Sequence, residues 1–265
     1  MLFQEYIGID YSGAGAPDKA TDAIQVFRAA RSGLPERVAP DGKSRWSRKA
    51  LAEWLAERLR GPERILVGLD HAFSFPAACL NELGLASWPA FLARFREEWK
   101  TDERAVKPAR ESLKKWIKVE KKLLGGLDRY RLTERWTSAA KSVFRYGVSG
   151  SVYHSSHAGI PWLLYLREQV GPRLHMWPFE GFGFEADQSV VAEIDPAIFK
   201  NRYAMELPEK HRGGKNEGDV LDAFAVCRWL QQTDLAEALP RYFEPPLDRE
   251  QRELVRLEGW ILGIA

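Results

Sequence analysis

Two apolar runs in this chain stop on an aspartate. Tyr6-Ile7-Gly8-Ile9-Asp10 is followed by Tyr11 and then by small and glycine residues, Ser12-Gly13-Ala14-Gly15-Ala16. Arg64-Ile65-Leu66-Val67-Gly68-Leu69-Asp70 repeats the design. Short apolar runs bounded by turn residues predict strands buried in a sheet. Between them, residues 44–59 place Trp46, Ala50, Leu51, Trp54, Leu55 and Leu59 on one helical stripe, closed by Gly61-Pro62. That pattern predicts an amphipathic helix. Two strands joined through one helix predict neighbours in an α/β sheet. A parallel pair puts both aspartates at the same edge. Residues 23–29 alternate imperfectly and predict a further strand, and residues 36–39 a short one.

The rhythm breaks between residues 77 and 150. Trp88–Trp99 and Ala109–Leu124 predict charged helices, so this stretch reads as a helical insertion in the α/β core. The core pattern then resumes. Residues 157–170 predict a buried helix. Residues 174–179 and 189–196 predict strands, the second ending on Glu193 and Asp195. A polar loop at 211–218 precedes a largely apolar helix from Asp219 to Leu230, and residues 247–261 predict a terminal helix. No internal repeat or low-complexity tract interrupts the chain, which reads as one α/β domain over residues 1–265.

Composition adds little until charge is mapped. The chain is 45% hydrophobic and 29% charged, enough for a substantial core. Net charge is only +2, but residues 94–150 hold sixteen Lys and Arg against eight Asp and Glu, a local +8 that leaves −6 elsewhere. Lys114, Lys115 and Lys118 in that segment are candidates to track a phosphate backbone, with Trp99 or Trp116 to stack on bases. A solvated helix surface is the plainer reading. Lys215 is a further phosphate candidate or an ordinary loop lysine. Two cysteines without C-x-x-C spacing and five histidines argue against structural zinc. No apolar run approaches the ~18 residues of a membrane span. No basic-then-apolar leader is present. The expectation is a cytoplasmic protein with reduced thiols and no membrane partner.

The candidate chemistry is carboxylate chemistry. Asp219 and Asp222 are three apart on the predicted helix and share a face. Asp219 is either a first-turn acid favoured by the helix dipole or part of a site. Asp222 sits among Leu221, Ala223 and Phe224, and an acid facing a core needs a partner or a metal. Asp10, Asp70, Asp219 and Asp222 therefore offer oxygen ligands for Mg²⁺ or Mn²⁺, which are hard cations. Such clusters suit phosphodiester hydrolysis without histidine. Glu193 is either an additional ligand or a strand-end acid, and Glu180 reads as peripheral. His71 is a proton shuttle or a buried, hydrogen-bonded histidine. Ser12 has no evident histidine partner.

The ordered set I-G-I-D, V-G-L-D, W-P-F-E-G, V-V-A-E-I-D-P and D-V-L-D-A resembles a poorly characterised family of predicted ribonuclease H-like nucleases. The helical D-x-x-D is also similar to that of bacterial Holliday-junction resolvases. The resemblance spans residues 6–76 and 157–232 and leaves the basic insertion uncovered. It implies a ribonuclease H-like mixed sheet flanked by helices, and metal roles for Asp10, Asp70 and Asp222 with Asp219 alongside. It implies a divalent-metal-dependent nuclease acting on DNA or RNA. Where that family often reads E-V-H-P or E-V-Y-P, this chain has Asp195. Two other readings stay open. One is a non-catalytic nucleic-acid-binding or scaffold protein that keeps the fold. The other is an actin-like phosphotransferase, since Ser12-Gly13-Ala14-Gly15 resembles a first phosphate loop, though no second Gly-rich loop accompanies it.

Overall fold

Both aspartate-ended runs form strands, and they lie side by side. The computed structural model describes residues 1–137, 141–148 and 151–265. β1 (Glu5–Asp10) is followed by β2 (Gln25–Ala30), which pairs antiparallel with it, and β3 (Glu36–Arg37) adds an antiparallel edge. α1 (Arg48–Arg60) leads to β4 (Ile65–Asp70), which pairs in parallel with β1 and sets Asp10 directly opposite Asp70.

The insertion follows as α2 (Ala77–Glu82), α3 (Trp88–Trp99), α4 (Val106–Glu111), α5 (Lys114–Leu123) and α6 (Leu132–Trp136). No strand occurs among its described residues; positions 138–140 and 149–150 of the expected stretch lie outside them. Then come α7 (Tyr153–Val170), β5 (Leu174–Trp177), β6 (Ser189–Glu193), α8 (Lys200–Tyr203), α9 (Glu217–Leu235), α10 (Leu239–Phe243) and α11 (Arg249–Glu258). The mixed six-stranded sheet runs β3-β2-β1-β4-β6-β5, with helices on both faces. Among the described residues, no helix is long and apolar enough to cross a membrane.

Strand side chains alternate between faces. Ile7, Ile9, Val67 and Leu69 point into a core built with α1, α3 and α7. Tyr6 and Leu66 point the other way, into the core under α9. Gly8 and Asp10 follow Tyr6 at steps of two, and Gly68 and Asp70 follow Leu66 in the same way. Both acids therefore belong to the face that α9 covers.

Gly8 and Gly68 are register partners, and together they make a smooth bed for that helix. A Cβ on Gly8 would sit 2.3 Å from the Cys227 nitrogen and 2.4 Å from the Ala223 oxygen. A Cβ on Gly68 would sit 2.7 Å from Val226 Cγ1. α9 meets β1 backbone to backbone at Gly8, and its Val226 and Leu230 side chains fill the space over Gly68, so the helix is held over the ends of β1 and β4.

Boundaries differ from the sequence expectation where side chains intervene. α1 begins after Ser47, whose hydroxyl accepts from the Ala50 amide, because Trp46 is already bridged to Thr21. The expected helix over 109–124 is two helices. Ser112 Oγ donates to the Ala109 carbonyl at 2.8 Å and closes α4. Trp99 and Trp116 are 0% and 1% exposed, packed edge-on against each other and around Phe95, so neither is free to stack on a base.

Candidate functional site

The carboxyl ends of β1, β4 and β6 open into a cavity of about 380 Å³. Asp10 and Asp70 stand on its wall beside Glu193, Asp195 and Asp222. Three strand ends and the start of α9 thus deliver acids to one place, where sheets of this kind form crevices. Asp219 does not line the cavity, but its charge helps raise Asp10, after burial.

The acids sit in an unfavourable electrostatic environment. Burial pushes Asp10 well above the usual carboxylate range, and Asp219 and Asp222 push it further. Lys200 and a hydrogen bond with the Asp70 carboxyl offset part of that rise. Asp70 is also well above its ordinary value, from burial first and then from Asp10, Asp195, Asp222 and Glu193. Asp195, Asp219 and Asp222 are raised too, again chiefly by burial. Neighbouring carboxylates favour protons when no cation compensates them.

Arg131 and Lys200 each pair with one of these acids. Arg131, at the mouth of α6, is 1% exposed and grips Glu193 with both terminal nitrogens, at 2.7 and 2.5 Å. Its Nε donates to Glu134 at 2.9 Å. Glu193 also accepts from the Phe73 amide. Both of its oxygens are therefore engaged in a buried ion pair, at the wall of the cavity where the sequence offered it as an additional ligand or a strand-end acid. Glu134 is pushed up to about 7 by burial, against the pull of Arg131. The second cation is Lys200, whose ammonium lies 2.9 and 3.2 Å from the two Asp222 oxygens.

The expected phosphate-binding lysines are elsewhere. Lys114 and Lys118 line a separate groove of about 440 Å³ with Arg110, Ile117 and Lys121. Neither they nor Lys115 or Lys215 lines the acidic cavity. The insertion reaches that cavity through Arg131, Glu134 and Lys141 instead.

Sequence reasoning missed Arg131, Asp195 and Lys200 as cavity residues. Arg131 pairs across 62 positions, a distance no local pattern spans. Asp195 is visible as a strand-end acid, but its carboxylate also accepts from the Ala197 amide, as an ordinary turn aspartate would.

Three other candidates resolve into structural roles. His71 is 2% exposed, packed between Tyr11 and Phe73, and its ring nitrogen meets the Ala72 carbonyl at 3.0 Å. Burial lowers its pKa to about 4, so it is neutral. Glu180 pairs with Arg167 and caps the Met176 amide, outside the cavity. The Gly-rich loop after β1 is a packing element. A Cβ on Gly13 would sit 2.0 Å from the His154 carbonyl oxygen, and Arg48 binds the Ala14 and Gly15 carbonyls at 2.8 and 2.9 Å. That removes the main support for the phosphate-loop reading.

Comparison with known proteins gave no matching family model, no similar curated protein and no matching solved structure.

Proposed function

We propose that this protein is a divalent-metal-dependent nuclease of ribonuclease H-like architecture, hydrolysing phosphodiester bonds at the Asp10–Asp70 cavity. The observation that carries this reading is the register match of Asp10 and Asp70, with Asp222 facing the same cavity from α9. Three separate elements would have no structural reason to gather partly buried acids at one point, because the desolvation and repulsion are costly.

The donor set fits a hard cation. Asp10, Asp70 and Asp222 would hold the ion, with Asp219 and Asp195 adjusting the local charge; all are oxygen donors, as Mg²⁺ and Mn²⁺ require. A bound divalent ion supplies water activation and charge stabilisation for phosphodiester hydrolysis. The protein's own part is positional. The two strand ends fix Asp10 and Asp70, and the glycine bed fixes the height of Asp222. Arg131 keeps Glu193 engaged. The groove beside Lys114 and Lys118 offers positive charge to the phosphate backbone.

One observation favours a second reading, a binding protein without catalysis. Among the described residues, no three His, Cys, Asp or Glu side chains are arranged to hold a metal ion as they stand. The test is a cleavage assay over labelled single-stranded and duplex DNA, RNA and RNA–DNA hybrid, with Mg²⁺, Mn²⁺ or EDTA. Metal-dependent cleavage of any substrate supports the nuclease. Binding without cleavage, together with a melting temperature insensitive to metal, supports the second reading.

A further inference from the structure

Lys200 is a cation set directly against the aspartates. It begins α8, and its side chain is 35% exposed, so the ammonium lies at the cavity with a route to solvent. It sits against both oxygens of Asp222. Its charge lowers the cost of ionising Asp10, Asp195, Asp219 and Asp222, and Asp70 acts on it in return. One lysine is therefore in electrostatic contact with all five aspartates. Arg131 cannot take that part, since Glu193 and Glu134 already hold it.

A lysine ammonium is a compact, strongly hydrated point charge on a flexible stem. It resembles a hard metal ion in what it asks of a carboxylate. A divalent ion bound by Asp222 must share or take the oxygens that Lys200 now touches. The flexible stem lets the ammonium withdraw toward solvent without moving α8.

We propose that Lys200 is the resident counter-ion of the acidic cavity, and that a divalent cation displaces it from Asp222 on binding. The proposal rests on the metal-site reading above. Lys200 then sets the threshold of metal affinity and keeps the cluster together when no metal is bound.

The test is Mn²⁺ titration calorimetry on the wild type, Lys200→Met and Lys200→Arg. Lys200→Met removes the competing charge and should bind Mn²⁺ about tenfold more tightly, ~1.4 kcal/mol. Its metal-free melting temperature should fall below that of the wild type, and the two should converge at saturating Mn²⁺. Lys200→Arg keeps the charge and should bind no more tightly than the wild type. In the wild type itself, the Lys200 side-chain NMR signals, assigned with the Arg variant, should move when Mg²⁺ saturates the site. Equal or weaker Mn²⁺ binding by Lys200→Met overturns the proposal and leaves the metal site standing. So does an unmoved Lys200 signal at saturation, which serves if the Met variant does not fold. No Mn²⁺ binding by any of the three proteins removes the metal site and the proposal with it.

Discussion

Gly8 and Cys227 touch backbone to backbone. A methyl group on Gly8 would come within 2.3 Å of the Cys227 nitrogen, closer than any real contact. Because the obstacle is main chain, no rotamer change relieves it. Gly8→Ala should lift α9 off the sheet and carry Asp222 away from Asp10. Overpacking of this kind costs ~1–3 kcal/mol or more. Gly183 has nothing within 4 Å of an added Cβ, so Gly183→Ala is the control, expected within ~0.5 kcal/mol of wild type. Urea unfolding of both variants checks the difference.

Arg131→Ala should be among the most damaging single changes near the cavity. It strands Glu193 and Glu134, whose side chains are 6% and 1% exposed. Breaking a buried pair by removing one partner costs ~3–5 kcal/mol. Replacing Arg131 with Met and Glu193 with Gln together should cost less than Arg131→Ala, because only Glu134 then loses a charged partner. A double-mutant cycle in urea gives the comparison. A small effect of Arg131→Ala would mean the pair is not holding α6 against β6.

Stability should depend on pH in a direction set by the aspartates. Asp10 and Asp70 have folded-state pKa values above the ordinary 3.8, so the folded protein holds their protons longer than the unfolded chain. Their contribution is fully present below the ordinary value and is lost as pH rises through the raised one. In EDTA, the wild type should therefore lose stability relative to Asp10→Asn as pH climbs from about 4 toward neutrality. Asp10→Asn should melt higher than wild type at neutral pH. A wild type that gains on the variant over that range would contradict the charge crowding.

Much of the site was legible because it is local. An apolar run ending on Asp10, its repeat at Asp70, and the Asp219–Asp222 spacing each declare themselves within a few residues, and sheet geometry does the rest. Lys200 lies in Phe199-Lys200-Asn201-Arg202, which carries no periodic signal. It reaches Asp222 because the chain after β6 turns back over the cavity. Glu193 reaches the cavity as its strand-end position suggests, but its pairing with Arg131 was not legible, since Arg131 comes from the insertion. Trp116 was misjudged although its signal was present. Trp116, Val119 and Leu123 are spaced by three and four, which marks the core face of α5, and all three are buried.

The lysines of α5 should act through charge alone. Lys114, Lys115 and Lys118 are exposed and lie off the acidic cavity. Changing all three to Gln should weaken nucleic-acid binding across sequences. It should also reduce the slope of log affinity against log salt by about 2–3. Binding measured by anisotropy over a salt series gives both numbers. Unchanged affinity and slope would leave these residues as solvated surface.

The most direct measurement compares wild type with Asp10→Asn in a cleavage assay over mixed DNA and RNA substrates with Mg²⁺ or Mn²⁺. Asn keeps the shape of the side chain and removes its charge, so the fold should survive, as circular dichroism would verify. Cleavage by the wild type, with a loss of at least about a hundredfold, ~2.7 kcal/mol, in Asp10→Asn, is the expected result. Full activity in Asp10→Asn, with the fold intact, would contradict a carboxylate-centred metal site.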